Sequence, residues 1–315
     1  MATILDSPKI PASPELPEGS TSLFSSFDVP TGTSPSDKKT SESLLEDSDE
    51  GEVLRKSSKK NTVSIIIPVY NEEDYIGACL DSIASQSEKP NEVIVVDNNS
   101  TDNTKNISRR YSFVTLISEE RQHQSFAQIT GFDHANSTIL VRTDADAILP
   151  KDYVARVKKS FDEGVVAVTG SGRPYDVALK KLGAWIFITY HERLASLIAG
   201  HAMLWGSNMA ITEESWKQIK SEVHRRKDIW EDYDISFHLA PKGVLLFIED
   251  LSVGCSYRSA HKSFVRQINY QFQSIRTFYL HTSLARTILF GLVWSTLILV
   301  FPVTIIDNIL RRLNK

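Results

Sequence analysis

From Val63 onward, short apolar runs alternate with longer amphipathic ones. Val63-Ser64-Ile65-Ile66-Ile67-Pro68-Val69 is β-branched and apolar at nearly every position, the pattern of a strand covered on both faces. Asn71 and the acids Glu72, Glu73 and Asp74 then open a helix on which Ile76, Leu80 and Ile83 recur at helical spacing. A second strand, 92–96, ends at Asp97, and Ser100 or Thr101 is placed to cap a short helix. Further strands are predicted at 113–117, 138–142, 165–169 and 244–248, with helices at 125–135 and 151–161 among them. Such alternation predicts an α/β domain with a doubly wound, Rossmann-like, mostly parallel sheet.

The pattern fails at the two ends in opposite ways. Residues 1–60 are rich in Ser, Pro and charge and show no sustained apolar period, so they predict a disordered tail. No apolar signal-peptide core stands in the first 30 residues, which keeps the catalytic part on the cytoplasmic side in this reading. Near the other end, Ile288 to Ile306 holds no charged residue over 19 positions, a run of about 28 Å if helical. Residues 287–307 are therefore expected to span or re-enter a membrane, after a basic membrane-proximal helix at 261–286 and before a basic tail at 308–315. From 251 to 315 there are 8 Lys/Arg and a single acid, Asp307. Beside an apolar run, that charge points to an anionic membrane surface and away from nucleic acid as partner. The two cysteines, Cys79 and Cys255, supply neither a disulfide framework nor a cysteine zinc site.

In open α/β sheets, ligands bind beyond the carboxyl ends of the strands. Here those ends carry Tyr70, Asn71 and Glu72, then Asp97, then Asp144 and Asp146. Residues two apart in extended backbone face the same side, so Asp144 and Asp146 can turn both carboxylates to one ligand. Hard cations such as Mg²⁺ or Mn²⁺ take such oxygens together with substrate phosphates. A D-x-D pair also occurs in phosphatases whose first Asp is a nucleophile, but there it closes the first strand, whereas here it closes the fourth. Absent glycine-rich dinucleotide and P-loop patterns exclude dehydrogenase and P-loop readings.

The order of landmarks resembles the inverting family-two glycosyltransferases of the GT-A fold. They are Val63 to Glu73, then Val95-Val96-Asp97-Asn98-Asn99-Ser100-Thr101-Asp102, then Asp144-Ala145-Asp146, then Gly206-Ser207-Asn208-Met209-Ala210, then Glu231-Asp232-Tyr233-Asp234. The resemblance covers residues 61–260. It implies that Pro68, Tyr70 and Glu72 line the nucleoside pocket of a nucleoside-diphosphate-sugar donor. Asp97 would accept a hydrogen bond from the base, Asp144 would face the ribose, and Asp146 would hold the Mn²⁺ or Mg²⁺ that bridges the diphosphate. Asp232 would be the general base, with Glu231, Gly206 and Asn208 near the sugar or acceptor. Arg258, His261 and Lys262 form a basic segment that could neutralise diphosphate, and His261 could join the metal. Processive members carry Q-x-x-R-W; this chain has Gln273-Ser274-Ile275-Arg276-Thr277, which predicts single transfers to a lipid-linked or glycan acceptor. Two other readings stay open: a catalytically inactive nucleotide-sugar-binding relative, and a D-x-D phosphoryl-transfer enzyme.

Overall fold

A computed structural model describes residues 61–258 and 264–297. The expected tail at 1–60, the position of His261 and the run beyond 297 lie outside the described residues. Seven strands form one sheet in the order β3-β2-β1-β4-β6-β5-β7. They are β1 (Val63–Val69), β2 (Glu92–Asp97), β3 (Val114–Ser118), β4 (Ile139–Arg142), β5 (Val165–Pro174), β6 (Met209–Thr212) and β7 (Val244–Cys255). The first four run parallel, with β1 central between β2 and β4. The sheet is mostly parallel, as expected, and β6 is the exception, antiparallel to both β4 and β5. Beyond it β5 and β7 are parallel again.

Each face of the sheet is covered, which is why β1 reads as continuous apolar sequence. Val63, Ile65, Ile67 and Val69 pack with Ile76, Leu80 and Ile83 of α1 (Ile76–Ala84) and with Tyr153 and Val157 of α4 (Tyr153–Lys159). On the other face, Ile66 meets Phe132 of α3 (Gln124–His134), Trp216 of α7 (Glu213–Ile219) and Leu239 of α8 (Glu231–Leu239). Each fully buried aliphatic side chain of β1 contributes about 1.5–3 kcal/mol. Helix α3 comes so close that a Cβ on Gly131 would stand 2.3 Å from Ile66 Cγ2, so this position admits only glycine without rearrangement.

Several boundaries move from their expected places for local reasons. Asn71 does not cap α1; it takes a left-handed φ of 55°, and its side chain accepts the Thr101 N–H at 2.8 Å. The chain makes an extra turn over Glu72, whose carbonyl accepts from Tyr75 and Ile76, before α1 begins. Neither Ser100 nor Thr101 caps α2 (Thr104–Ser108); Asp102 Oδ1 accepts the Thr104 N–H at 3.0 Å instead. Strand β5 runs on to Pro174 and β7 to Cys255, because the two pair with each other past a bulge.

A third, aromatic core joins α6 (Ala195–Ala199), α8, α9 (Phe264–His281) and α10 (Leu284–Ser295) through Trp230, Tyr233, Phe278, Phe290 and Trp294. Between α5 (Lys180–Phe187) and α6 the chain winds as a π-helix over Ile188–Leu194. Trp185 of α5 is 60% exposed. Among the described residues, no helix is long and apolar enough to cross a membrane. The expected span at 288–306 falls partly on α10, which leaves Leu284, Ile288, Leu289 and Leu292 exposed, and partly outside the description.

Candidate active site

The carboxyl ends of β1 and β4 bring three of the expected acids together. Arg258, just beyond β7, ties two of them: its Nη2 lies 2.6 Å from Glu72 and its Nε 3.0 Å from Asp146. The guanidinium also covers the Tyr75 ring at 4.3 Å, which fixes its plane. Burial, and next the Asp144 carboxylate, push Asp146 up to about 7 against the opposing pull of Arg258. Burial likewise raises Glu72, with Arg258 acting against it.

Asp144 is held from the other side. Arg142, wholly buried at the end of β4, brings Nη2 to 2.8 Å from Asp144 Oδ1, though out of hydrogen-bonding alignment, and its Nε has no partner. Ser207 Oγ donates a short hydrogen bond to Asp144 Oδ2. Three acids facing two guanidiniums leave one negative charge in excess, and the burial of Glu72 and Asp146 limits its screening by water. An oxygen-rich, electron-rich set of this kind fits a hard divalent cation.

Asp232 reaches the same region from the first turn of α8. Its Oδ2 accepts the Gly206 N–H at 3.0 Å and its Oδ1 the N–H of Tyr233 at 3.0 Å. Burial first, then the adjacent Glu231 carboxylate, push it up to about 7, with Arg142 opposing. Arg142 thus stands between the Asp144 carboxylate and the Glu231–Asp232 pair. Gly206 leaves room for this approach, since a Cβ there would fall 1.6 Å from Arg142 Nη1. Behind Asp232, the π-helix buries Glu192 with neither carboxyl oxygen hydrogen-bonded. Burial, and then Asp232, hold it well above the ordinary carboxylate range.

Other expected residues stand apart from this cluster. Tyr70 is 50% exposed beside half-buried Pro68. The buried Asp97 carboxylate accepts the Ser100 N–H at 3.2 Å and lies 3.6 Å from Lys105. The expectation that Asn208 meets a sugar hydroxyl is corrected. Its amide nitrogen donates to Ser171 O and Leu251 O, and its oxygen accepts from Tyr153 Oη, so the side chain is a buried strut under the turn. Sequence reasoning passed over Arg142 and Ser207. A single arginine closing the otherwise apolar Ile139-Leu140-Val141-Arg142 was the signal available for the first.

This geometry can be set beside known proteins. Residues 64–219 match the family model described as Glycosyl transferase family 2. Glycosyltransferase AglE of Haloferax volcanii is 37% identical over 117 residues, 35% of this chain, and the chain spans 36% of that relative's length. A Methanococcus voltae enzyme, dolichyl N-acetyl-alpha-D-glucosaminyl phosphate 3-beta-D-2,3-diacetamido-2,3-dideoxy-beta-D-glucuronosyltransferase, is 26% identical over 238 residues, covering 66% of this chain and 70% of the relative. Among solved structures, the mannosyltransferase PcManGT of Pyrobaculum calidifontis, in complex with GDP-Man and Mn²⁺, superposes with a TM-score of 0.56 at 25% identity. That match covers 70% of this chain and 64% of the other. The seven-stranded sheet, its acidic edge and these matches agree, and residues 64–219 are similar to the glycosyltransferases of family 2.

Proposed function

We propose that this protein is an inverting glycosyltransferase that moves one sugar per encounter from a nucleoside-diphosphate donor to a lipid-linked or glycan acceptor at a membrane face. One observation carries this reading. The Glu72, Asp144 and Asp146 carboxylates gather on one sheet edge, and Asp232 approaches from a separate element across Gly206. Inversion by direct displacement needs this division of labour, with the donor held on one side and a base on the other, and no enzyme nucleophile between.

Tyr70 and Pro68 form an open shelf for the nucleoside, and Asp97 lies at the neighbouring strand end in register with Val69. Asp146, with Asp144, would hold Mn²⁺ or Mg²⁺, whose charge stabilises the departing diphosphate when bound. Arg258 is the cation this chain itself brings to the same place. Asp232 accepts the proton of the acceptor hydroxyl at its carboxylate, a role that general-base catalysis values at roughly 10²- to 10⁴-fold. The Gly206 N–H keeps that carboxylate aimed while leaving lone pairs on both oxygens. The relative from Methanococcus voltae, whose name specifies a dolichyl-linked phosphate acceptor, supports a lipid-linked acceptor here, as does the exposed apolar stripe of α10.

A screen of nucleoside-diphosphate sugars with Mn²⁺, using lipid extracts and soluble glycans as acceptors, tests the reading. Expected is metal-dependent release of nucleoside diphosphate coupled to one sugar added per acceptor, with the anomeric configuration inverted in the product. Retention of configuration, or phosphate release without sugar transfer, would overturn it.

A further inference from the structure

Away from the donor carboxylates, the turn before α8, the body of α8 and the last residue of α9 converge on Asp234. Its carboxylate is 1% exposed, yet it is ringed by three imidazoles. His224 Nδ1 and His281 Nε2 each lie 2.7 Å from Asp234 Oδ1, and His238 Nε2 lies 3.7 Å from it. The four ligand-type atoms, one per residue, are all within 4.8 Å of one another. We propose that His224, Asp234, His238 and His281 form a structural zinc-type site that joins α9 to α8.

Local structure accounts for the convergence. Asp234 and His238 are one helical turn apart, so both side chains leave the same face of α8. His224 is fixed by its own backbone N–H, which donates to Asp234 Oδ2 at 2.7 Å. His281 is held by ring stacking on Phe237 at 4.8 Å. A tetrahedral zinc with bonds of about 2.0–2.1 Å separates its ligand atoms by about 3.3 Å. Reaching that geometry takes an opening of the two 2.7 Å contacts by about half an ångström, an inward shift of His238 by a similar amount, and a closing of the widest separation in the group, within 4.8 Å, by up to about 1.5 Å.

Two further observations favour a cation over a plain hydrogen-bonded cluster. His238 Nε2 is buried with no hydrogen-bond partner, although it faces the cluster. Its other nitrogen, Nδ1, lies 3.4 Å from the Glu222 carboxylate, the outer partner that ligating histidines commonly have. Beside the cluster lies a small cleft lined in part by Gln128, His224, Glu231 and Asp234. Three imidazoles and one carboxylate select zinc-like ions, whereas the all-oxygen donor edge selects Mg²⁺ or Mn²⁺. The two sites are therefore separable by choice of metal.

The test uses the full chain, stripped with a chelator and titrated with Zn²⁺ and, separately, Co²⁺. Expected is one tightly held zinc per chain, a tetrahedral cobalt absorption spectrum that survives Asp146→Ala, and a higher thermal unfolding midpoint with zinc. His281→Gln should weaken zinc binding by more than about a hundredfold, beyond the roughly 10- to 100-fold that loss of an outer partner costs. Should that variant fail to fold, His238→Gln reports the same loss. Folded wild-type chain that takes up no zinc, or a cobalt spectrum untouched by His238→Gln and His281→Gln, overturns the proposal and leaves a hydrogen-bonded histidine cluster only.

Discussion

Two acid pairs, Asp144 with Asp146 and Glu231 with Asp232, share one perturbation and the buried Arg142 between them, and differ in the rest of their surroundings. In each, burial and a neighbouring carboxylate drive one member up to about 7. Asp146 sits at the end of a parallel strand, facing Arg258 and open to a further positive charge. Asp232 sits in the first turn of a helix, held by two backbone N–H groups, with buried Arg142 acting on it from behind. An elevated carboxylate can be relieved by a cation or by a proton. The surroundings of the first pair suit the cation, and those of the second suit the proton.

The sharpest way to break this contrast is Asp232→Asn. Transfer should fall by about 10²- to 10⁴-fold while nucleoside-diphosphate binding, read by calorimetry, stays within a few-fold. Full activity in this variant removes the base from the mechanism. Next in size is Arg142→Met, which leaves acids of both pairs without their shared buried counter-charge. Urea denaturation should show a loss of about 3 kcal/mol, as when one partner of a buried pair is deleted. An unchanged midpoint would mean that the two pairs are not coupled through it.

Asp146→Ala should abolish the Mn²⁺-dependent part of nucleoside-diphosphate binding, a drop of about ten- to a hundredfold. Chelation of the wild type should mimic it, and binding that ignores metal in both proteins assigns Asp146 elsewhere. The smallest effect is a control in which a carboxylate moves the other way. Glu119 is held at about 2 by the Arg121 side chain, with burial opposing and Thr130 assisting. Its folded value is depressed, so its contribution is full above about 4.5 and disappears as pH falls toward 2. The stability gap between wild type and Glu119→Gln should accordingly shrink across that interval, and a gap constant with pH contradicts it.

Much of this contrast can be read from the chain because strand ends are readable. An apolar run that stops at Asp97 or at Asp144 marks an edge, and the winding rule for α/β sheets then collects those residues. Direction is another matter. Met209-Ala210-Ile211-Thr212 has the same apolar character whether it runs with β4 or against it, so the reversal of β6 had no signal in the residues themselves. Asn208 misled for a related reason: a polar residue beside glycine reads as a surface turn, and only the arrival of Tyr153, Ser171 and Leu251 around it makes it a strut. Arg142 could have been suspected, since a lone guanidinium on a covered strand demands counter-charges. The histidines gathered on Asp234 come from positions 57 residues apart at the extremes, counting from His224 to His281, and only the Asp234–His238 spacing hints at them.

The reversed strand has one consequence for the chemistry of the edge. Parallel strands all arrive at that edge by their carboxyl ends, so donors there come from side chains and from the loops that follow, as the Ser100 N–H on Asp97 does. β6 enters from the opposite end, and the turn Gly206–Asn208 that leads into it delivers a backbone N–H to the edge before the strand begins. It is that N–H, from Gly206, that grips Asp232. A single change of strand polarity thus gives an acid-lined rim an amide hydrogen that does not titrate, at a position where Arg142 leaves no room for a side chain.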